Sequence, residues 1–376
     1  MTPEDLRADI PAVAEEGTVY LNTGASGPSP EAVLDAVAAA QEYQESRAPA
    51  EEGMYVAAMD VYDTARHSAA ELLGTDHDQV ALTHSTTDGI NRIATALEWD
   101  SSDTIVTTDI EHAAGRLPWT RLERVRGVDV RVVETEAGVI DLDILSEALD
   151  DATLLSVSAV DWLYGRVQPV SEMVALAHEN DALALIDAVQ APGQRAIDVE
   201  EWGADFVAAA GHKWLLGPWG AGMVYVAPDV LDRTDPAHVG FRGLADHSDG
   251  EYELRSDARR FEIGTDNPGP YAGLCAAIDR YQSIGPERIA DRIETLRQRF
   301  VAGVPAERLV SPPDAPTGLV TIEIEDAATV VETLDEASIS VRSVPLPGAV
   351  RVSIHAVNTE TEVDALLETL GELGVV

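Results

Sequence analysis

The sequence predicts an α/β protein with a large domain on a mainly parallel seven-stranded sheet and a smaller C-terminal α/β domain. Three observations predict it. Seven short apolar, β-rich runs follow one another between residues 80 and 226. Helical stretches of roughly 10–15 residues separate most of them, the rhythm of βαβ units and so of a parallel sheet. Near residue 255 the rhythm changes, and a long helical region leads into a shorter second block.

Taken in order, the strands are VALT (80–83), TIVTT (104–108), VDVRVV (128–133), TLLSVS (153–158), LALID (183–187), DFVAAA (205–210) and GMVYV (222–226). Residues 141–149, after VID, and residues 170–179, after a proline, read as helices. The second block opens with a helical region over about 268–301 and the turn-rich SPPDAPTG. LVTIEIE, a helix, SISVR, AVRVSI and a last helix ending near Leu373 follow, with the strands expected to be antiparallel. The expected division is a large domain over 17–255 and a small one over 256–376, with segment 1–16 packing near the latter. There is no internal repeat and no low-complexity tract.

At 376 residues, with 45% hydrophobic and 24% charged residues, the chain reads as folded and long enough for two domains. Its 67 acidic residues against 25 basic ones give a formal charge of -42. In dilute buffer such a charge opposes compaction, whereas at molar salt the screening length falls to about 3 Å and the penalty fades. The acidity therefore points to a salt-adapted cytoplasmic protein, and it disfavours nucleic acid and anionic membranes as partners. Cys275 is the only cysteine, which excludes an intrachain disulfide and a cysteine-based metal cluster. No apolar run approaches the roughly 20 residues of a membrane span, and the acidic N-terminus does not resemble a signal peptide.

In open parallel sheets, ligands bind beyond the carboxyl ends of the strands. Several candidates for chemistry sit there. Lys213, in GHKWLLGPWG, is the only lysine in a chain with 24 arginines. Positive charge was not avoided, so a retained lysine suggests a need for an amine that forms a Schiff base, which arginine cannot do. The plainer reading is a surviving surface lysine, yet the loop lies between two apolar strands. Asp187 ends LALID, with Gln190 three residues on. A turn aspartate is the bland reading, and a buried carboxylate facing a cationic ring nitrogen is the functional one. In ALTHSTTDGINRIATALE a hydroxyl-rich turn precedes an amphipathic helix expected to begin near Asp88. Thr86 and Thr87 there offer either simple capping or a phosphate cradle at a helix N-terminus. His112, in DIEHAAGRLPW, is either structural or an imidazole that stacks and handles protons.

In this chain order the four elements resemble the class V aminotransferase family of fold-type I pyridoxal phosphate (PLP) enzymes, the group that includes cysteine desulfurases. The similarity runs from YLNTGASGPSP through STTDGIN, EHAAGRLPW, DAVQA, GHKWLLGP and FEIGTDN to VRVSIHAVNT. The resemblance implies that Lys213 forms the imine with PLP, Asp187 pairs with the ring nitrogen, Gln190 approaches the phenolic oxygen and His112 stacks on the ring. It assigns Thr86, Thr87 and His212 to the phosphate, and Arg351 to the carboxylate of an amino acid substrate. Thr265 would reach the phosphate of a neighbouring subunit, which implies a homodimer. Trp162, His238 and Arg242 are candidates for the specificity lining. The sequence also departs from the pattern. VRSVPLPGAVR lacks the nucleophilic cysteine of desulfurases, and Cys275 sits in an apolar helix. Ala159 and Trp162 replace a His and an Asn, and Ala210 replaces a serine that assists the phosphate. The expectation is a class V aminotransferase that makes a keto acid. A carbon–sulfur or carbon–selenium lyase, an epimerase, or a non-catalytic binding protein are the alternatives.

Overall fold

The computed structural model describes residues 1–14, 17–246 and 251–376. Each of the seven runs is a strand: Val80–Thr83 (β1), Thr104–Thr108 (β2), Asp129–Val133 (β3), Leu154–Ser158 (β4), Leu183–Asp187 (β5), Phe206–Ala210 (β6) and Gly222–Val226 (β7). They form one sheet in the order β1-β7-β6-β5-β4-β2-β3. Neighbours from β3 across to β6 run parallel, while β7 is antiparallel to both β6 and β1. Six strands are buried along their whole length, as expected where helices cover both faces. β3 is the exception. It lies at the edge, and its Asp129 and Arg131 put charge where an unpaired strand would otherwise invite association.

The helix after β1 starts at Thr86, two residues before the expected start, and runs to Ala96. Ser85 sets that start, its hydroxyl accepting the Asp88 N–H at 3.1 Å. The long helical region is two helices, Gly269–Ile284 and Pro286–Gly303, broken at Gly285 with φ of 97°. A residue with a side chain resists that φ, and Pro286 is suited to opening the next helix.

Beyond them, Leu319–Glu323 (β8), Arg342–Ser343 (β9) and Ala349–Ser353 (β10) form an antiparallel sheet in the order β8-β10-β9. The run SISVR divides between two sheets: Ile339–Ser340 pairs in parallel with Val19–Tyr20, and Arg342–Ser343 pairs with β10. Two hydrophobic clusters result. The larger joins the seven strands to the helix Gly269–Ile284 and takes in Leu6, Ile10 and Val13 from the N-terminal segment. The smaller gathers Leu296, Phe300, β8, β10 and the helix Glu360–Glu372, together with Val19 and Leu21. Arg7 links the N-terminal segment to the C-terminal block through Glu362 at 2.9 Å and the Val357 carbonyl at 3.1 Å. Among the described residues no helix is long and apolar enough to cross a membrane, and no cluster could hold a metal ion.

Candidate active site

The ends of β1, β2, β4, β5 and β6 open onto one cavity, whose walls include Thr86, His112, Asp187, Gln190, Lys213 and Arg351. The second sheet closes it, because Arg351 belongs to β10. Thr87, Trp162 and His212 line the same space.

The loop carrying Lys213 is clamped from three segments. A methyl group on Gly27 would strike the Lys213 carbonyl, and one on Gly193, whose φ is 96°, would strike the Trp214 backbone. Both glycines are thus required by close approach. The stretch carrying Gly193 also holds the Trp214 side chain, and a third segment holds its backbone. Its indole N–H donates to Gln190 Oε1 at 2.7 Å. Buried His355 accepts the Val357 N–H at Nδ1, which leaves Nε2–H to donate to the Trp214 carbonyl at 3.0 Å. Burial pushes this imidazole down to about 4, so it stays neutral in that role.

Lys213 is pulled down to about 8. Loss of water is the main cause and the Arg351 and Arg342 charges add to it, while Asp187 works in the other direction. Asp187 is 5% exposed, and burial raises its carboxyl against the Val189 N–H bond and the Lys213 charge. Its Oδ1 accepts from Val189 at 2.9 Å, and among the described residues Oδ2 has no hydrogen bond. A buried carboxylate with an unused oxygen calls for a cationic donor.

His112 caps the helix Ala113–Arg126, its Nδ1 accepting the Ala114 N–H at 3.2 Å, which puts the proton of the neutral ring on Nε2. Burial lowers its pKa, and Lys213, Arg342, Arg351 and Arg116 lower it further. The ring stands edge-on to Trp162 at 5.1 Å. Thr86 lies in the first turn of its helix with a buried hydroxyl that has no partner among the described residues. His212, in the same cavity, is pushed down to about 4, chiefly by burial. Gln190 donates to the Gly24 carbonyl at 3.0 Å, so its amide retains one N–H. Arg351 is 1% exposed, and its Nη1 donates to the Trp162 carbonyl at 2.9 Å. Its Nε and Nη2 are buried without partners among the described residues, and burial with the nearby Arg342 draws the guanidinium down to about 9.

Sequence reasoning missed two residues. Glu111 lies under the cavity floor, accepting from the Thr108 hydroxyl at 2.8 Å and the Ser158 N–H at 3.0 Å, and also from the Ser158 hydroxyl. Burial raises it to about 7, with the Asp187 charge adding a little. An acid beside His112, just past a strand end, was the available signal. Arg342 also lines the cavity, and it stands in VRSVPLPGAVR, the stretch that lacks the cysteine.

Three expected residues lie elsewhere. Arg242 does not line the cavity: it is buried against Glu262 and Asp266, with its guanidinium 3.9 Å from the Tyr62 ring centroid. These two acids, 20 and 24 residues further along the chain, hold it away from the pocket. His238 is exposed outside the cavity, as is Thr265 within its own chain. Cys275 is half-buried in the helix Gly269–Ile284, outside the cavity, and burial pushes its thiol up.

The unpartnered Thr86 hydroxyl at a helix N-terminus suits a phosphate, the free oxygen of Asp187 suits a protonated ring nitrogen, and Lys213 supplies an amine. The residues fit PLP, and fold and cavity together define the class, a fold-type I PLP enzyme. The chain belongs to the class-V aminotransferase family, whose model matches residues 19–366. It is 35% identical to a probable cysteine desulfurase of Methanothermobacter thermautotrophicus, over 99% of this chain and 98% of that protein. It is 31% identical to one of Pyrococcus abyssi, over 99% and 97%. Among solved structures, a cysteine desulfurase from Thermococcus onnurineus superposes with a TM-score of 0.89 at 30% identity, covering 99% and 98% of the two chains. A cystine C–S lyase in complex with cysteine persulfide superposes with a TM-score of 0.90 at 25% identity, covering 96% and 99%.

Proposed function

We propose that the protein is a PLP-dependent lyase that breaks a carbon–sulfur bond of an amino acid and releases the sulfur without storing it on a protein thiol. The position of Cys275 carries this reading. The chain is similar to enzymes named for sulfur removal, yet its only thiol lies outside the cavity, in a packed helix. Sulfur leaving the substrate therefore departs as a free thiol, sulfide or persulfide.

When bound, PLP supplies an electron sink conjugated to the substrate nitrogen. Thr86, Thr87 and His212 would hold its phosphate, Asp187 its ring nitrogen, and the remaining Gln190 N–H its phenolic oxygen. Arg351 grips the α-carboxylate through its Nε and Nη2 edge, the bidentate geometry of guanidinium and carboxylate. That grip fixes the Cα hydrogen relative to Lys213. Lys213, drawn down to about 8 chiefly by burial, reaches its neutral form more readily than an ordinary lysine and in that form accepts the proton. His112 would lie against the cofactor ring, and its Nε2–H is the proton available to the departing sulfur. The carbon–sulfur bond breaks with its electron pair on sulfur, and the released 2-aminoacrylate takes up water to give pyruvate and ammonium. Thr265, exposed and outside its own cavity, serves the site of a second copy in a homodimer. The charge of -42 supports a salt-rich cytoplasm as the setting of this dimer.

Transamination shares the first proton transfer, but its keto acid would keep the sulfur. The test is product analysis of the PLP-loaded protein with cysteine and cystine. Pyruvate and reduced sulfur in equal amounts are expected, from wild type and from Cys275→Ala within about twofold. A sulfur-bearing keto acid without released sulfur, or loss of sulfur release in Cys275→Ala, would reject the proposal.

A further inference from the structure

Three polar side chains stand in a row at the ends of three neighbouring strands. Glu111 follows β2, Ser158 ends β4 and Asp187 ends β5, and these strands lie side by side in the sheet. Ser158 is the direct register partner of Asp187, so both side chains leave the same face. All three residues are buried. Ser158 and Asp187 line the cavity, whereas Glu111 lies behind them. Glu111 also packs against the helix Ala113–Arg126, where a methyl group on Gly115 would sit 3.5 Å from its Oε2.

The hydrogen bonds of Glu111 define what it can do. Its Oε1 accepts from the Thr108 hydroxyl at 2.8 Å and the Ser158 N–H at 3.0 Å, so a proton on this carboxyl belongs on Oε2. Oε2 faces the Ser158 hydroxyl. With Glu111 ionised, Ser158 spends its one hydrogen on Oε2. With Glu111 protonated, Oε2–H donates to Ser158, and the Ser158 hydrogen is free for another acceptor. The acceptor on the neighbouring strand is Asp187, whose Oδ2 has no hydrogen bond among the described residues. Burial favours protonated Glu111, and the Asp187 charge adds to it. Lys213 acts on Asp187 from the other side, and His112, next to Glu111 in the chain, turns its Nδ1 to the Ala114 N–H.

Resting on the reading above that Asp187 meets the ring nitrogen of PLP, we infer that Glu111 and Ser158 are positioning residues for that carboxylate: protonated Glu111 donates to Ser158, and Ser158 donates to Asp187. The row then carries one negative charge, at its cavity end, where the ring cation arrives. A donated hydrogen bond orients the Asp187 carboxylate and lowers its basicity, which leaves the shared proton on the ring nitrogen. Two ionised carboxylates in one buried floor would repel, and the Glu111 proton removes that conflict.

The test measures PLP affinity at pH 6 and pH 8.5 in high salt, together with the nitrogen resonance of PLP isotopically labelled at its ring nitrogen. The variants are Ser158→Ala, Glu111→Gln and Asp187→Asn. Glutamine at 111 offers its carbonyl to the Thr108 and Ser158 donors and an amide N–H to the Ser158 hydroxyl, copying the protonated acid. At pH 6 Ser158→Ala should bind PLP about tenfold more weakly and move the resonance toward its unprotonated position, with Glu111→Gln within twofold of wild type. At pH 8.5 wild-type Glu111 has lost its proton and takes back the Ser158 hydrogen. Glu111→Gln should then bind PLP about three- to tenfold more tightly than wild type. Titrations of Lys213 and of PLP itself occur in both proteins and cancel in that ratio. Glu111→Gln weaker than wild type at both pH values overturns the row. So does a Ser158→Ala protein that is less stable to heat yet keeps the wild-type affinity and resonance. A protonated wild type that loses the proton in Asp187→Asn, with Ser158→Ala unchanged, overturns the row alone. An unprotonated wild type overturns the row and the Asp187 reading together.

Discussion

Two buried arginine groups in this molecule are built to opposite rules. Around Glu262 every charge is answered: Arg66 reaches it at 2.8 Å, Arg242 pairs with it, and the Leu82 N–H donates at 2.9 Å. Arg242 also meets Asp266 at 2.8 Å. Arg351 is as deeply buried, but two of its nitrogens meet no partner among the described residues, and Arg342 faces it with like charge. A buried charge with full partners holds a fold together, whereas one left open is held ready for something that arrives. The difference separates the scaffold from the cavity without reference to any relative.

The comparison breaks most sharply at Arg351. Arg351→Met keeps the volume and removes the grip on the carboxylate, so kcat/KM should fall by about 10²–10⁴-fold, as for two charge-assisted hydrogen bonds. Its unfolding free energy should stay level or rise, because two unsatisfied buried donors disappear. Glu262→Gln should do the reverse, costing about 3–5 kcal/mol in denaturant unfolding because Arg66 and Arg242 lose their counter-charge. A large stability loss in Arg351→Met, or none in Glu262→Gln, would erase the distinction.

Glu111 offers a smaller and pH-dependent version of the same contrast. Its carboxyl is raised in the folded state, from 4.5 to about 7, mainly by burial. Its protonated form therefore favours folding, an advantage that is full below the unfolded pKa and lost as pH rises through about 7. Relative to Glu111→Gln, wild type should lose up to about 3 kcal/mol between pH 5 and pH 8 in urea melts at constant high salt. A pH-independent difference between the two would show that Glu111 stays ionised on its hydroxyl and N–H donors.

Much of this was legible in the sequence, for local reasons. The strands were readable because buried parallel strands are continuous apolar runs, and the candidates at their ends because such sheets bind there. Lys213 was visible by composition, as a single lysine among 24 arginines. What escaped depends on distance in the chain. Arg342 becomes a cavity residue only because β9 pairs with β10, and SISVR gave no sign that it would divide between two sheets. Arg242 was misplaced because its acids, Glu262 and Asp266, lie 20 and 24 residues away, and spacing alone does not reveal which arginine finds a partner. Glu111 was overlooked beside the more obvious His112, since burial, not residue type, makes a carboxyl unusual.

The account rests on one amine, and Lys213→Arg tests it most directly. That variant keeps the charge and most of the volume and removes only the ability to form an imine. Wild type loaded with PLP should be yellow, with an absorbance that changes on adding a sulfur amino acid. Lys213→Arg should bind PLP without that imine band and lose turnover by about 10³-fold or more. A Lys213→Arg protein with the wild-type band and near-normal turnover would contradict the account, because the cavity would then need a charge at this position and not an amine.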